Sequence, residues 1–211
     1  MERTEGASRH RLGIYGGTFA PPHNGHVRAA REFLSQAKLD TLLVMPTAIP
    51  PHKQIDPGDD PEIRLVMARA AFDGLDSRIT VSDYEIRRGG ASYTYQTLTH
   101  YSETTDSELF FLCGTDMFLT LDAWRCPEII FAKATIACVM RESDPASFRA
   151  VREKDAAYRE AYGARTLFVH SVPIELSSTD IRARVRAGKS IADCVPKSVA
   201  RRIAEYGLYK K

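Results

Sequence analysis

The sequence predicts an α/β fold in which a doubly wound parallel sheet carries helices on both faces. Three observations point to it. Short β-branched or apolar runs recur at Leu12–Tyr15, Thr41–Met45, Ile79–Tyr84, Leu109–Cys113, Thr135–Met140 and Thr166–His170. Segments with helical periodicity separate most of them, the alternation expected of a parallel sheet. The runs also lack a clean apolar–polar alternation, as strands covered on both faces do.

Taken in order, the first run leads into a glycine-rich loop and then a helix with Val27, Ala30, Phe33, Leu34 and Ala37 as its apolar positions. Asn24 is the expected N-cap of that helix. The second run is followed by Ile55–Asp60, rich in Pro, Gly and Asp and expected to be mobile. Glu62–Phe72 then reads as a helix with Ile63, Val66, Met67 and Ala70 on one face. After the third run, the charged and glycine-containing Arg87–Ala91 is a second expected mobile piece, and Tyr93–Tyr101 is a weaker helix. Ser177-Ser178-Thr179-Asp180 supplies capping residues for a helix over Ile181–Ala187, stopped by Gly188. Pro196 opens a last helix, Lys197–Tyr206, which ends at Gly207. The expected organisation is a flexible tail over residues 1–10 and a single domain over 11–211, with a small C-terminal helical segment at 176–211.

Composition restricts the partners. The chain has 211 residues, 44% hydrophobic and 27% charged, which is ordinary for a globular protein with a sizeable core. A formal net charge of +2 argues against nucleic acid or a membrane surface as the main partner. The basic residues concentrate near the C-terminus, with nine Lys or Arg from Asp180 to Lys211 against Asp180, Asp193 and Glu205. Most read as solvated helix surface, with one or two available to a polyanion. The four cysteines (Cys113, Cys126, Cys138, Cys194) form no CxxC pair and show no zinc spacing, as suits a reducing cytoplasm. No run approaches the roughly 18 apolar residues of a membrane helix, and the N-terminus lacks a signal peptide's apolar core. A soluble, cytoplasmic protein is expected, with self-association left open.

The chemistry concentrates in Gly13-Ile14-Tyr15-Gly16-Gly17-Thr18-Phe19-Ala20-Pro21-Pro22-His23-Asn24-Gly25-His26. Gly16 and Gly17 let the backbone turn tightly and let a ligand approach it closely. His26 falls in the first helical turn, where free N–H groups and the helix dipole favour anions. At a spacing of three, His23 and His26 reach the same phosphate. A nearby triphosphate favours protonated imidazoles, so both are expected to act as cationic donors. A metal pair is the weaker alternative, because no third ligand lies nearby.

Gly-Gly-Thr-Phe-x-Pro-x-His-x-Gly-His after a first strand resembles the signature of the nucleotidyltransferases with HxGH motifs. Ser177-Ser178-Thr179-x-Ile181-Arg182 resembles their C-terminal ISSTxIR motif. Three further segments resemble those of nicotinate-nucleotide adenylyltransferases. They are Met45–Lys53 with its Pro-Pro-His-Lys, Arg88–Leu98 with Ser-Tyr-Thr, and Phe111–Asp116 followed by Trp124. The resemblance runs from Leu12 to about Tyr209. It departs at Ala20, where most of the family has Asp or Asn, and at Ala91, where proline is common.

The resemblance implies a Rossmann-like sheet and assigns roles to matching positions. Gly16, Gly17, Thr18, Phe19, Ser178 and Thr179 would border ATP, His23 and His26 would bind its phosphates, and Arg182 would clamp the β and γ phosphates. Gly114 and Asp116 would face the nucleotide at a strand end. Lys53, on a loop able to close over the site, is a further phosphate ligand on the acceptor side. Thr94 and Trp124 would hold the pyridine ring, and Arg125 adds charge beside it. Backbone N–H groups of Tyr93-Thr94 and Trp124-Arg125 are expected to face the acceptor carboxylate.

The implied reaction moves the adenylyl group of ATP onto nicotinate mononucleotide in the biosynthesis of NAD, by direct in-line attack. Such chemistry needs aligned anions and charge absorption rather than a strong base. Mg²⁺ is expected to arrive bound mainly to the ATP phosphates. A pantetheine phosphate acceptor is the rival within the superfamily, opposed by Thr94, Trp124 and the Pro-Pro-His-Lys loop. A nucleotide sensor without catalysis is the rival from another class, opposed by His23, His26 and Arg182.

Overall fold

The computed structural model describes residues 9–51, 60–141, 145–172 and 176–210. In chain order the elements are β1 (Arg11–Gly17), α1 (Asn24–Gln36), β2 (Thr41–Pro46), α2 (Pro61–Phe72), β3 (Ile79–Val81), α3 (Tyr84–Arg88) and α4 (Thr94–Thr104). There follow β4 (Glu108–Gly114), α5 (Thr115–Phe118), a 3-10 turn at Leu121–Ala123, α6 (Pro127–Lys133), β5 (Ala134–Arg141) and α7 (Pro145–Tyr162). β6 (Thr166–Ser171), α8 (Ser178–Arg186) and α9 (Lys197–Glu205) complete the order.

The six strands form one sheet in the order β3-β2-β1-β4-β5-β6, and every pairing is parallel. This is the doubly wound, Rossmann-like arrangement, and its strand order reverses between β1 and β4. The core splits accordingly. One cluster, with Phe33, Leu42, Met67, Phe72, Ile181, Val199 and Ile203, lies under α1, α2, α8 and α9. The other, with Ile14, Leu98, Phe111, Phe118, Phe131 and Tyr158, lies under α4, α6 and α7. Each fully buried large side chain contributes about 1.5–3 kcal/mol relative to exposure. On β1, a Cβ at Gly13 would come within 2.3 Å of Leu39 Cδ1, so a glycine there lets the α1 layer sit directly on the strand.

Several local expectations change. Arg9 and His10 are tied down rather than loose. Arg9 Nη2 donates to Asp106 Oδ1 at 2.6 Å, and the His10 carbonyl accepts from Glu108 N–H at 2.8 Å. The third strand stops at Val81, because Asp83 and Tyr84 turn into α3. Arg87 and Arg88 therefore belong to a helix, and Ala91 is held by a bridge to Ile49. Residues 52–59, which include most of the expected mobile piece Ile55–Asp60, lie outside the described residues, but Asp60 caps α2 through Glu62 N–H at 2.7 Å. The face of α2 that goes inside is Arg64, Leu65, Met67, Ala68, Ala71 and Phe72, rotated away from Ile63, Val66 and Ala70. The 18-residue α7 is an element that strand-and-helix periodicity does not single out. No helix among the described residues is long and apolar enough to cross a membrane.

Candidate active site

The sheet itself opens the site. The β1–β4 ladder ends at Ile14↔Phe111, yet β1 runs on to Gly17 and β4 to Gly114. Each strand thus continues three residues past its last pairing with the other, and a crevice opens at their carboxyl ends. Ligands of open parallel sheets bind at this switch point. A cleft of about 840 Å³, a figure that includes open solvent, occupies it.

On one side the phosphate-loop residues gather. Phe19 is buried and lies edge-on to Tyr15 at 5.4 Å, His26 at 5.2 Å and Phe72 at 5.7 Å between ring centroids. A Cβ on Gly17 would approach that ring to 2.9 Å, so the second glycine of the pair is required by the turn's own packing. Phe19 thereby supports the loop with its side chain.

His23, not Asn24, is the N-cap of α1. Asn24 starts the helix and turns its side chain away, with Nδ2 donating to the Asp193 carbonyl at 3.0 Å while its backbone N–H donates to Cys194 at 2.9 Å. The two imidazoles stand 3.7 Å apart between centroids, tilted by 30°. His26 Nδ1 accepts from the His23 backbone N–H at 3.1 Å. That contact fixes the orientation of the His26 ring, with Nδ1 toward the loop backbone and Nε2 on the opposite side.

α8 is docked onto this loop. Ser177 caps it by accepting from Asp180 N–H at 3.0 Å, and Ser178 Oγ donates to the Pro21 carbonyl at 2.9 Å. Half-buried Arg182 donates from Nη1 to the Ala20 carbonyl at 2.8 Å, and its Nη2 lies 3.4 Å from exposed Thr179. Gly114 and Asp116 are exposed at the end of β4 and the start of α5, and neither lines the cleft.

The cleft is lined by Gly16, Gly17, Thr18, Thr94, Trp124 and Arg125 among the expected residues. Half-buried Trp124 meets Phe111 edge-to-face at 6.3 Å, and the Arg125 guanidinium lies 4.9 Å from the Tyr93 ring centroid. Two expected carboxylate donors are already committed: Tyr93 N–H donates to Ala91 at 3.1 Å and Trp124 N–H to Leu121 at 3.1 Å. The donors left are the Thr94 and Tyr95 N–H groups at the start of α4, since Gln96 and Thr97 N–H already donate to the Tyr93 carbonyl at 3.0 and 3.4 Å, and Arg125. Lys53 lies outside the described residues.

Sequence reasoning missed two residues. Arg64 is fully buried on α2 and donates from Nη1 to the Thr18 and Thr47 carbonyls at 3.1 and 2.7 Å, and from Nη2 to the Ala48 carbonyl at 2.8 Å. It ties the phosphate loop to the loop after β2. Glu85 on α3 lines the cleft with a nearly buried carboxyl group. Both are charged residues inside helices, a pattern that reads as surface. Of the buried thiols, Cys138 is pushed up to about 12 and Cys113 well above the usual thiol range by loss of water, so neither supplies a nucleophile.

Comparison with known proteins agrees with this geometry. Residues 14–184 match the cytidylyltransferase-like family model. The chain is 38% identical to the probable nicotinate-nucleotide adenylyltransferase of Desulfatibacillum aliphaticivorans, over 94% of this chain and 99% of that one. It is 31% identical to the protein of the same name from Clostridium tetani, over 93% and 98%. Among solved structures, the nicotinic acid mononucleotide adenylyltransferase of Plasmodium falciparum, complexed with NaAD, shares the fold at a TM-score of 0.73. Its sequence identity is 16%, with 95% of this chain and 97% of that one covered.

Proposed function

This chain belongs to the cytidylyltransferase-like family and, within it, to the nicotinate-nucleotide adenylyltransferases, and on that premise we propose that its β1/β4 crevice joins ATP to nicotinate mononucleotide, giving deamido-NAD and pyrophosphate. One observation carries the reading. The loop Gly16-Gly17-Thr18 lies between a cluster of phosphate-binding chemistry and a cleft with an aromatic wall, so the two substrates would meet over it.

ATP lies with its triphosphate toward His23, His26 and Arg182, bordered by Gly114, Asp116, Ser178 and Thr179, so that residues 176–211 complete its site. The acceptor ring enters the cleft against Trp124, near Thr94 and Arg125. A phosphate oxygen of the mononucleotide attacks the α-phosphorus of ATP, and the bond to the bridging oxygen of the pyrophosphate breaks on the opposite face. The acceptor oxygen is already anionic, so no general base is required. The Nε2–H of His26 and the Arg182 guanidinium absorb the charge gathering on pyrophosphate. No enzyme nucleophile takes part, in keeping with the high-pKa buried thiols and with a Ser178 hydroxyl engaged by Pro21. Among the described residues no three His, Cys, Asp or Glu side chains converge as a metal cage. Mg²⁺ carried on the ATP phosphates suits such a site, where it would neutralise phosphate charge. Four free cysteines accord with a cytoplasmic setting.

The test is pyrophosphate release from ATP and Mg²⁺ with and without acceptor. Release that depends on nicotinate mononucleotide is the expected result. Release without any acceptor, or only with pantetheine phosphate, would overturn the reading.

A further inference from the structure

Glu85 is a buried acid that the reaction above leaves without a task. Among the described residues it is the single acidic one lining the cleft, and it is only 5% exposed. Its Oε1 accepts from Thr97 Oγ1 at 2.6 Å, which anchors it to the first turns of α4. Its Oε2 is shielded from solvent, and the Ser92 hydroxyl lies close enough to act on the carboxyl beside Thr97. Burial holds the carboxyl above the usual carboxylate range, against the opposing pull of Thr97, Ser92 and Arg88. The neighbouring walls, Leu98, Phe111, Trp124 and Ile130, are apolar or aromatic, so charges act strongly across the space. Among the described residues the cleft thus has one acid, buried Glu85, and one base, exposed Arg125.

That arrangement has a chemical complement. The N-glycosylated pyridine ring of nicotinate mononucleotide is a cation, and its ring substituent is an anion. We propose that Glu85 is a specificity-determining residue that recognises the positive charge of the pyridinium ring, while Arg125 and the start of α4 face the carboxylate. The proposal rests on the pyridine mononucleotide reading of the acceptor. A cation seated beside Glu85 offsets the cost of burying its carboxylate, and the face of Trp124 adds attraction of the same sign. The same charge lies in the amide form of the mononucleotide, so Glu85 selects for the cationic ring and not for acid over amide.

The experiment compares the oxidised mononucleotide with its uncharged 1,4-dihydropyridine form. Glu85→Gln keeps the size of the side chain and an oxygen for Thr97. Its kcat/KM for the cationic form should fall about tenfold or more, through KM, while KM for ATP stays within about twofold. The dihydropyridine form should lose less than about threefold. Trp124 is the only tryptophan of the chain, so quenching of its fluorescence reads binding independently of turnover. Glu85→Asp, which keeps the charge, should retain the preference for the cationic ring. Equal losses for both ring forms would reveal a merely structural residue and overturn the proposal. So would an unchanged KM for the cationic form. If the wild-type protein neither binds nor turns over either form, the acceptor reading itself fails and takes the proposal with it.

Discussion

Arg182 Nη1 donates to the Ala20 carbonyl at 2.8 Å, so a cation from the second turn of α8 is seated on the loop that leads into His23 and His26. The contact spans 162 residues of sequence and brings α8 onto the loop after β1. A guanidinium with one donor engaged in this way keeps its remaining donors in a fixed fork. Arg182→Lys should therefore behave much like Arg182→Ala. Both should raise KM for ATP and lower kcat/KM by about tenfold to a hundredfold. Steady-state kinetics with ATP varied checks this, and a lysine variant with wild-type efficiency would exclude the fork geometry.

The His26 Nδ1 bond to the His23 backbone aims the Nε2–H donor from the start of α1. If that donor stabilises charge arising only in the transition state, His26→Ala should lower kcat by about a hundredfold or more. KM for the mononucleotide should hardly move. Single-turnover rates at saturating substrates separate this from a binding defect, and a variant that keeps most of its kcat refutes the role.

Arg64 is the third point of leverage, because its guanidinium holds the Thr18, Thr47 and Ala48 carbonyls together. Arg64→Met fills part of the space but abandons those acceptors. The expected cost is on the order of 3–5 kcal/mol, the usual penalty for breaking a buried charged network. A chain of this length would lose about 10 °C in Tm at that cost. Calorimetry measures it, and a loss below about 2 °C would mean the three carbonyls find water instead.

The strands and the site motifs were legible because their signals are local. Strands buried on both faces must be apolar throughout, and a Gly-Gly turn followed by His-x-Gly-His fixes its own geometry within a dozen residues. What escaped depends on partners far away in sequence. Arg64 satisfies carbonyls, which have no side-chain signature, at separations of 16 to 46 residues. Glu85 lies in a short helix directly after the expected strand Ile79–Tyr84, which in fact stops at Val81 because Asp83 starts a turn. α7 buries Val151 and Tyr158 along an 18-residue helix otherwise rich in charge and alanine, too thin a stripe to stand out. The orientation of the His26 ring depends on a backbone N–H three residues away and needs coordinates to be seen.

Acid and amide acceptors differ by one group, and the donors near that group differ from those the sequence suggested. Tyr93 and Trp124 spend their N–H groups on Ala91 and Leu121. The Thr94 and Tyr95 N–H groups at the start of α4 remain, with the positive end of an 11-residue helix behind them. Arg125 is positioned over Tyr93 at the same cleft, and its pKa is raised chiefly by its hydrogen bond to Tyr93, so it is a fixed positive charge. A carboxylate satisfies both elements. An amide brings no charge and points an NH₂ at donors, a mismatch of about 1–3 kcal/mol where buried. The kcat/KM for nicotinate mononucleotide should thus exceed that for the amide by about tenfold or more. Arg125→Ala should narrow the ratio, because it removes the charge that only the acid uses. Trp124→Ala should raise KM for both mononucleotides far more than for ATP, because the ring wall is common to them. Initial rates of pyrophosphate release at matched concentrations decide the matter. Equal efficiency with acid and amide would refute the acid selectivity while leaving adenylyl transfer intact, because the phosphate side of the crevice never touches that substituent.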